Sequence, residues 1–259
     1  MTCSEVWINF AVNLAAGVVI FLVGFFWPLI PKSIRNYRLK KFFGASVLSN
    51  RFAIVYGTLQ DPRPRIDAGG TLIPRFKKQF RDGRVILITG PFENIVGDCE
   101  IRASGYLAQS IGKSREEIVG ILSDIKAYDD LNYTLIAIGS PASNDISGLV
   151  MREPSNRFFQ FGQAGTFIES TLDKKQYFGF QPPARKDCAV ILRIRNERFP
   201  SHFLFVCAGL GEWGTSGACW YLATHWEHLY KEFKQNDFAV LVEIDIGSDT
   251  SAKRIASAR

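Results

Sequence analysis

Between Val6 and Ile30 the sequence contains no aspartate, glutamate, lysine, arginine or histidine. Roughly 25 uncharged residues reach about 37 Å as a helix, enough to cross a bilayer core of ~30 Å. The stretch therefore reads as a transmembrane helix rather than a buried core helix. A basic segment before it is also missing, since Glu5 is the one charged side chain there, and no small-residue cleavage pattern follows. Both absences argue against a cleaved signal peptide. The chain lacks any C-x-x-C, and its cysteines (Cys3, Cys99, Cys188, Cys207 and Cys219) are odd in number. That excludes a zinc ribbon, argues against a disulfide framework and fits a reducing compartment. Neither G-x-x-x-x-G-K-[ST] nor G-x-S-x-G occurs, so two common phosphate and nucleophile motifs are ruled out. Histidine is scarce. His225 and His228 flank Glu227, but no third ligand is implied and no metal site is expected.

What is present is organised around that uncharged stretch. Residues 1–5 form a short N-terminus and 6–30 the span, with Trp7 and Trp27 near its ends and Pro28 and Pro31 where the helix should stop. Residues 31–49 read as a basic juxtamembrane linker carrying Lys32, Arg35, Arg38, Lys40 and Lys41 and no acid. Their bias places this side in the cytoplasm at the inner membrane, with Met1 outside. These five residues supply most of the net charge of +6 and suit anionic lipid headgroups. A second basic run, Pro74 to Arg84, fits a solvated surface loop, and a nucleic-acid partner is not expected.

Residues 50–259 suit one α/β domain. RFAIVYGTL (51–59), RVILITGP (84–91) and YTLIAIGSP (133–141) read as strands, the last two of the near-continuous apolar kind buried on both faces. Cys99 to Ile111 reads as a helix with Asp98 as N-cap, and Ser114 to Lys126 as a second one with Ile118, Ile121, Leu122 and Ile125 on its apolar face. A short helix is expected after Ser143-Asn144. The aromatic-rich segments from Phe158 to Gln181 and the run CAVILRIRN suggest an inserted or attached β meander. CAVILRIRN and HFLFVCAG are expected to pair as a hairpin, a helix over Thr215 to Lys234 leads to the strand FAVLVEIDI, and the polar tail is expected to fray. The fold class is a Rossmann-like mixed sheet.

The motif that points toward chemistry is Gly209-Leu210-Gly211-Glu212-Trp213-Gly214, a G-x-G-x-x-G between a predicted strand and a predicted helix. Such an elbow offers helix-terminal N–H groups to an anion, with Thr215 and Ser216 as added hydroxyls. It can equally serve packing alone. Glu212 inside the loop repels phosphate, the elbow lies near the C-terminus, and the acids ending the next strand, Glu243 and Asp245, come nearly 30 residues after Gly214, so NAD is disfavoured while another nucleotide-like ligand is not. Two other strand ends share this character: Gly90 with Gly97 and Asp98, and Gly139, Ser140, Ser143 and Asn144. In an open α/β sheet these ends converge beyond the carboxyl edge, where ligands bind. Asp98 and Glu212 are the candidate catalytic acids should the crevice hydrolyse a nucleotide or glycoside.

The plan of one span, a short basic linker and a Rossmann-like domain, with the "GSPASN" and "AGLGEWGTSGA" elbows, resembles bacterial membrane-tethered sensor or effector proteins of nucleotide-signalling and anti-phage systems. The resemblance implies a cytoplasmic domain that binds a nucleotide-derived signal while the membrane part anchors or acts. It implies no catalytic residue. The sequence leaves three readings open: a ligand-binding sensor, a hydrolase of the same crevice, and an oligomerising membrane scaffold using Phe158, Phe159, Phe161, Tyr177, Phe178 and Phe180 as an interface. A homo-oligomer is expected.

Overall fold

The computed structural model describes residues 29–58, 76–79, 85–88, 96–115, 117–162, 165–179 and 185–259. The expected span, apart from its last two residues, lies outside them, as does Gly90. Among the described residues no helix is long and apolar enough to cross a membrane.

The helices are α1 (Leu29–Phe43), α2 (Asp98–Gly112), α3 (Asp124–Asp129), α4 (Asp145–Met151) and α5 (Glu212–Phe233). The strands are β1 (Phe52–Tyr56), β2 (Phe76–Gln79), β3 (Val85–Ile88), β4 (Gly120–Ser123), β5 (Thr134–Ile138), β6 (Phe159–Phe161), β7 (Phe167–Ser170), β8 (Gln176–Phe178), β9 (Lys186–Arg195), β10 (Phe203–Gly209), β11 (Phe238–Asp245) and β12 (Lys253–Ala258). Seven of the strands form one mixed sheet in the order β12-β11-β9-β10-β5-β1-β4. The half from β4 to β10 is parallel, and β9, β11 and β12 continue it antiparallel. The central strands β5 and β10 are buried at every position because both faces are covered. Ile54, Ile136, Ile138 and Phe205 meet α1, α2 and α5, while Val55, Leu135, Leu204 and Val206 meet α3, α4 and the small sheet β6-β7-β8.

α1 belongs to this core. It includes Pro31, which in the sequence stands where a helix should stop. Leu39, Phe42 and Phe43 are buried, and Phe43 lies 5.2 Å and Phe42 5.8 Å from the Phe205 ring. The wholly buried Arg193 of β9 ties two helix ends together. Its Nη1 donates to the Phe42 carbonyl at 3.1 Å, and its Nη2 donates to the carbonyls of Lys234 and Asn236 beyond α5. Its guanidinium stacks over Phe42, Phe203 and Phe238, and burial pushes its pKa down to about 9. The basic residues of α1 divide accordingly: Arg35 and Arg38 turn toward Glu227 of α5 at 3.6 and 3.9 Å, while Lys32 and Lys40 are exposed.

Four sequence expectations are corrected. Ser114 to Lys126 is not a helix: Gly120–Ser123 is the terminal strand β4, paired in parallel with β1, and only the end of the segment enters α3. The branched residues Ile118, Val119 and Ile121 favour extended backbone once a neighbouring strand is available. The apolar run at Val85–Ile88 pairs with Phe76–Gln79 in a separate two-stranded hairpin rather than entering the main sheet. Asp98 is the first residue of α2, not its cap; Gly97 occupies the N-cap position with no side-chain bond. The tail is not frayed, because Lys253–Ala258 gains a ladder on β11. The β9–β10 hairpin and the helix after Asn144 form as expected; of the expected meander, the aromatic segments form the separate sheet β6-β7-β8, while CAVILRIRN is β9 of the main sheet.

Candidate functional site

The parallel strands deliver their carboxyl ends to one edge of the sheet. Chain order reverses between β1 and β5: β4 lies on one side of β1 and β5 on the other. Ligands favour that crevice in open α/β sheets. Most of its backbone is already held by buried polar side chains. Asn144 caps α4 by accepting from Ser147 N–H at 3.0 Å, and its Nδ2 donates to the carbonyls of Val55 (3.1 Å) and Ile138 (3.0 Å). It therefore stitches β1 to β5 and has no group left over. Asp124 accepts from the Thr58 hydroxyl at 2.6 Å, from Thr58 N–H, and from the N–H groups opening α3 and α4.

The G-x-G-x-x-G elbow lies where the sequence places it, but its anion seat is filled by the protein itself. The Asp187 carboxylate of β9 accepts from Gly214 N–H at 2.7 Å, from Gly211 N–H at 3.1 Å and from Cys188 N–H at 2.7 Å. The glycines are needed for this approach: a Cβ on Gly211 would lie 2.7 Å, and one on Gly214 2.9 Å, from an Asp187 oxygen. Burial raises the Asp187 pKa, the three amides pull it back, and nearby Glu212 raises it further. The two hydroxyls turn inward as well. Thr215 accepts from Gly209 N–H and donates to the Gly211 carbonyl. Ser216 donates to Asp249 Oδ1 at 2.5 Å, within a cluster in which Arg102 and Tyr106 donate to Oδ2. Gly209, Gly211, Gly214, Thr215 and Ser216 thus serve internal packing.

On the other side of Glu212 an open constellation is brought together. Gly139 ends β5 at φ +110°, a conformation side chains disfavour, and turns the chain so that Ser140 and Ser143 face each other with hydroxyls 3.4 Å apart. A Cβ placed on Gly139 would lie 2.9 Å from the Ser143 hydroxyl and 3.9 Å from Glu100 Oε1. Glu100 is buried in the first turn of α2. The Cys99 thiol donates to its Oε2 at 3.3 Å, and among the described residues no lysine or arginine pairs with it. The Cys99 thiol is pushed up to about 12, by burial first and then by Glu100, with Glu212 adding. It is protonated at neutral pH and is no nucleophile. Asp98 and Glu212 are exposed at the rim. A hollow of about 580 Å³ is lined in part by Asp187, Gly211, Glu212 and Trp213.

Glu100 was not among the residues singled out from sequence, although a signal existed. Glu100, Ala103, Ser104, Leu107 and Ile111 share the buried stripe of α2, so an acid stands at an inward-facing position. Asp187 had no such signal, because its role depends on a strand pairing. His225 stacks on Tyr221 at 4.2 Å and His228 lies 4.0 Å from Glu232. Comparison with known proteins yields no relative: no family model, no curated protein and no solved structure matches the chain.

Proposed function

We propose that this chain is a membrane-anchored α/β domain that binds a small sugar-bearing ligand of nucleotide type, as a sensor or effector in signalling or defence. The observation that carries the reading is Glu100: a buried carboxylate that shares with the Ser143 hydroxyl the space beside Gly139 at the end of β5, without a cation among the described residues. A carboxylate and two hydroxyls so placed suit the vicinal hydroxyls of a ribose, which donate to the acid and exchange hydrogen bonds with serine. With Asp98 and Glu212 at the rim the crevice is acidic. The elbow amides are taken by Asp187, so the ligand is held by its sugar or base, with its phosphates directed outward.

The test uses the full chain in detergent micelles and follows its melting temperature against nucleosides, nucleotides, cyclic oligonucleotides and NAD. A saturable rise is expected for a ribose compound and not for its 2′,3′-dideoxy analogue, with affinity falling about tenfold or more in Glu100→Gln. No shift with any member of the panel, or equal shifts for the dideoxy analogue, would sink the proposal. The same mixtures are assayed for product. Turnover lost in Glu212→Gln or Asp98→Asn would make the crevice a hydrolase site instead.

A further inference from the structure

Outside the crevice two surfaces stand out. One is apolar: Ile118, Ile121, Ile125 and Tyr128 stay exposed around β4. The other is basic and shaped as a groove, a hollow of about 620 Å³ along the C-terminal halves of α2 and α5, with Arg35 of α1 in its wall. Its frame is fixed. The Ser110 hydroxyl of α2 donates to the Ala223 carbonyl of α5 at 2.6 Å. Arg35 donates through Nε to the Ser114 hydroxyl at 3.0 Å and through Nη2 to the Ser110 carbonyl at 3.1 Å, and its guanidinium lies over the Trp226 ring. The fork is thus held in place with N–H donors to spare.

The charges of this groove do not balance. Lys113 lines it from the end of α2 and Lys231 from α5; both are exposed, and neither meets an acid among the described residues. Glu227 is the one carboxylate of the described lining, and it is already shared by Arg35 at 3.6 Å and Arg38 at 3.9 Å. Two ammonium groups therefore stay unneutralised beside a preorganised guanidinium. We infer that the groove binds a phosphate group, whose several charged oxygens suit an arginine fork and two lysine point charges together. Two sources present that group: the headgroup of an acidic phospholipid, and a phosphate compound in solution. The place of Arg35 favours the lipid. It stands five residues beyond Ile30, the end of the uncharged stretch, or about 8 Å along α1. The polar layer on each side of a bilayer core is ~5–8 Å deep. Half-buried Trp220 in the same lining is the kind of ring that favours this level. The lipid source rests on the reading of Val6 to Ile30 as a membrane span; the phosphate site does not.

The experiment follows the melting temperature of the full chain in detergent micelles in two arms. One arm titrates phosphatidylglycerol into the micelles against phosphatidylcholine. The other titrates inorganic phosphate against chloride at matched ionic strength, with phosphatidylcholine alone. A saturable rise of about 2–4 °C is expected with phosphatidylglycerol. Lys113→Gln with Lys231→Gln should remove most of that rise while leaving the melting temperature in phosphatidylcholine unchanged, because both side chains are exposed and carry no ion pair. Lys32→Gln with Lys40→Gln takes away the same charge outside the groove and should leave most of the rise. A rise with inorganic phosphate that the groove variant also loses would support the site with a soluble phosphate as its source. No rise in either arm, or a rise lost equally in the two variants or kept in the groove variant, would overturn the proposal. Alkaline carbonate extraction of membranes tests the span separately: a released chain would overturn the lipid source and leave the phosphate arm to decide the site.

Discussion

Asp187 illustrates how one residue redirects a motif. A glycine elbow at a helix N-terminus is an anion site by physical construction, since unpaired N–H groups and the helix dipole both favour negative charge. Here the anion is a carboxylate brought from the adjacent antiparallel strand, accepting from Gly211, Gly214 and Cys188. Replacing it removes those charge-assisted bonds and reopens the seat. Asp187→Ala is expected to lower the unfolding free energy by about 2–4 kcal/mol, read from urea midpoints. The variant should also gain stability in phosphate or sulfate beyond that of the wild type, as the vacated amides accept a soluble anion. If its stability matched the wild type, or if phosphate acted equally on both, the elbow's account would be wrong. Glu100 makes the converse point: its position on the buried stripe of α2 is visible in the sequence, but its neighbours Gly139 and Ser143 are not.

At the scale of elements, α1 has the largest consequence. Its basic composition reads as a linker, yet Leu39, Phe42 and Phe43 are buried against Phe205, Phe238 and Trp226. At about 2 kcal/mol for each fully buried side chain these contribute roughly 6 kcal/mol, comparable to the whole stability of an ordinary domain. A fragment beginning at Gly44 is therefore expected to be insoluble or to melt far below one beginning at Leu29. Trypsin acting on the folded protein should cut slowly at Arg35 and Arg38, whose side chains are engaged with Glu227. Equal melting of the two fragments, or rapid cleavage at both arginines, would return α1 to the status of a tether. β4 shows the opposite error. Apolar residues at helical spacing there belong to a terminal strand, because period alone does not distinguish a short strand with flanking turns from a helix when branched residues dominate.

At the scale of the whole molecule, the edge of the sheet opposite the crevice is closed by a buried polar knot. His202 bonds through Nε2 to Asn132 Oδ1 at 3.0 Å and through Nδ1 to the Ser46 hydroxyl at 3.1 Å, and Ser46 donates to Thr134 at 2.8 Å. The knot joins the chain just after α1 to β5 and to the start of β10. Burial of the ring disfavours its charged form. Burial lowers the His202 pKa below 6.5, Arg51 lowers it further and Asp130 raises it. The unfolded chain therefore takes up this proton first. The contribution of neutral His202 is fully present above about pH 6.5 and is lost as pH falls from there toward the folded pKa. Denaturant midpoints of the wild type should drop across that window more steeply than those of His202→Gln; parallel curves would refute the assignment.

The mixed α/β class, the apolar central strands, the β9–β10 hairpin and the position of the glycine elbow were legible in the sequence, because each follows from local periodicity or from a turn that glycine permits. Tertiary structure alone decided what the elbow holds, which acid enters the crevice, that the basic segment is a core helix, and that four large apolar residues near β4 stay exposed. The reason is common to all four. Each depends on contacts between residues far apart in the chain, set by strand order and by the faces the helices cover, and no local pattern encodes which distant side chain arrives.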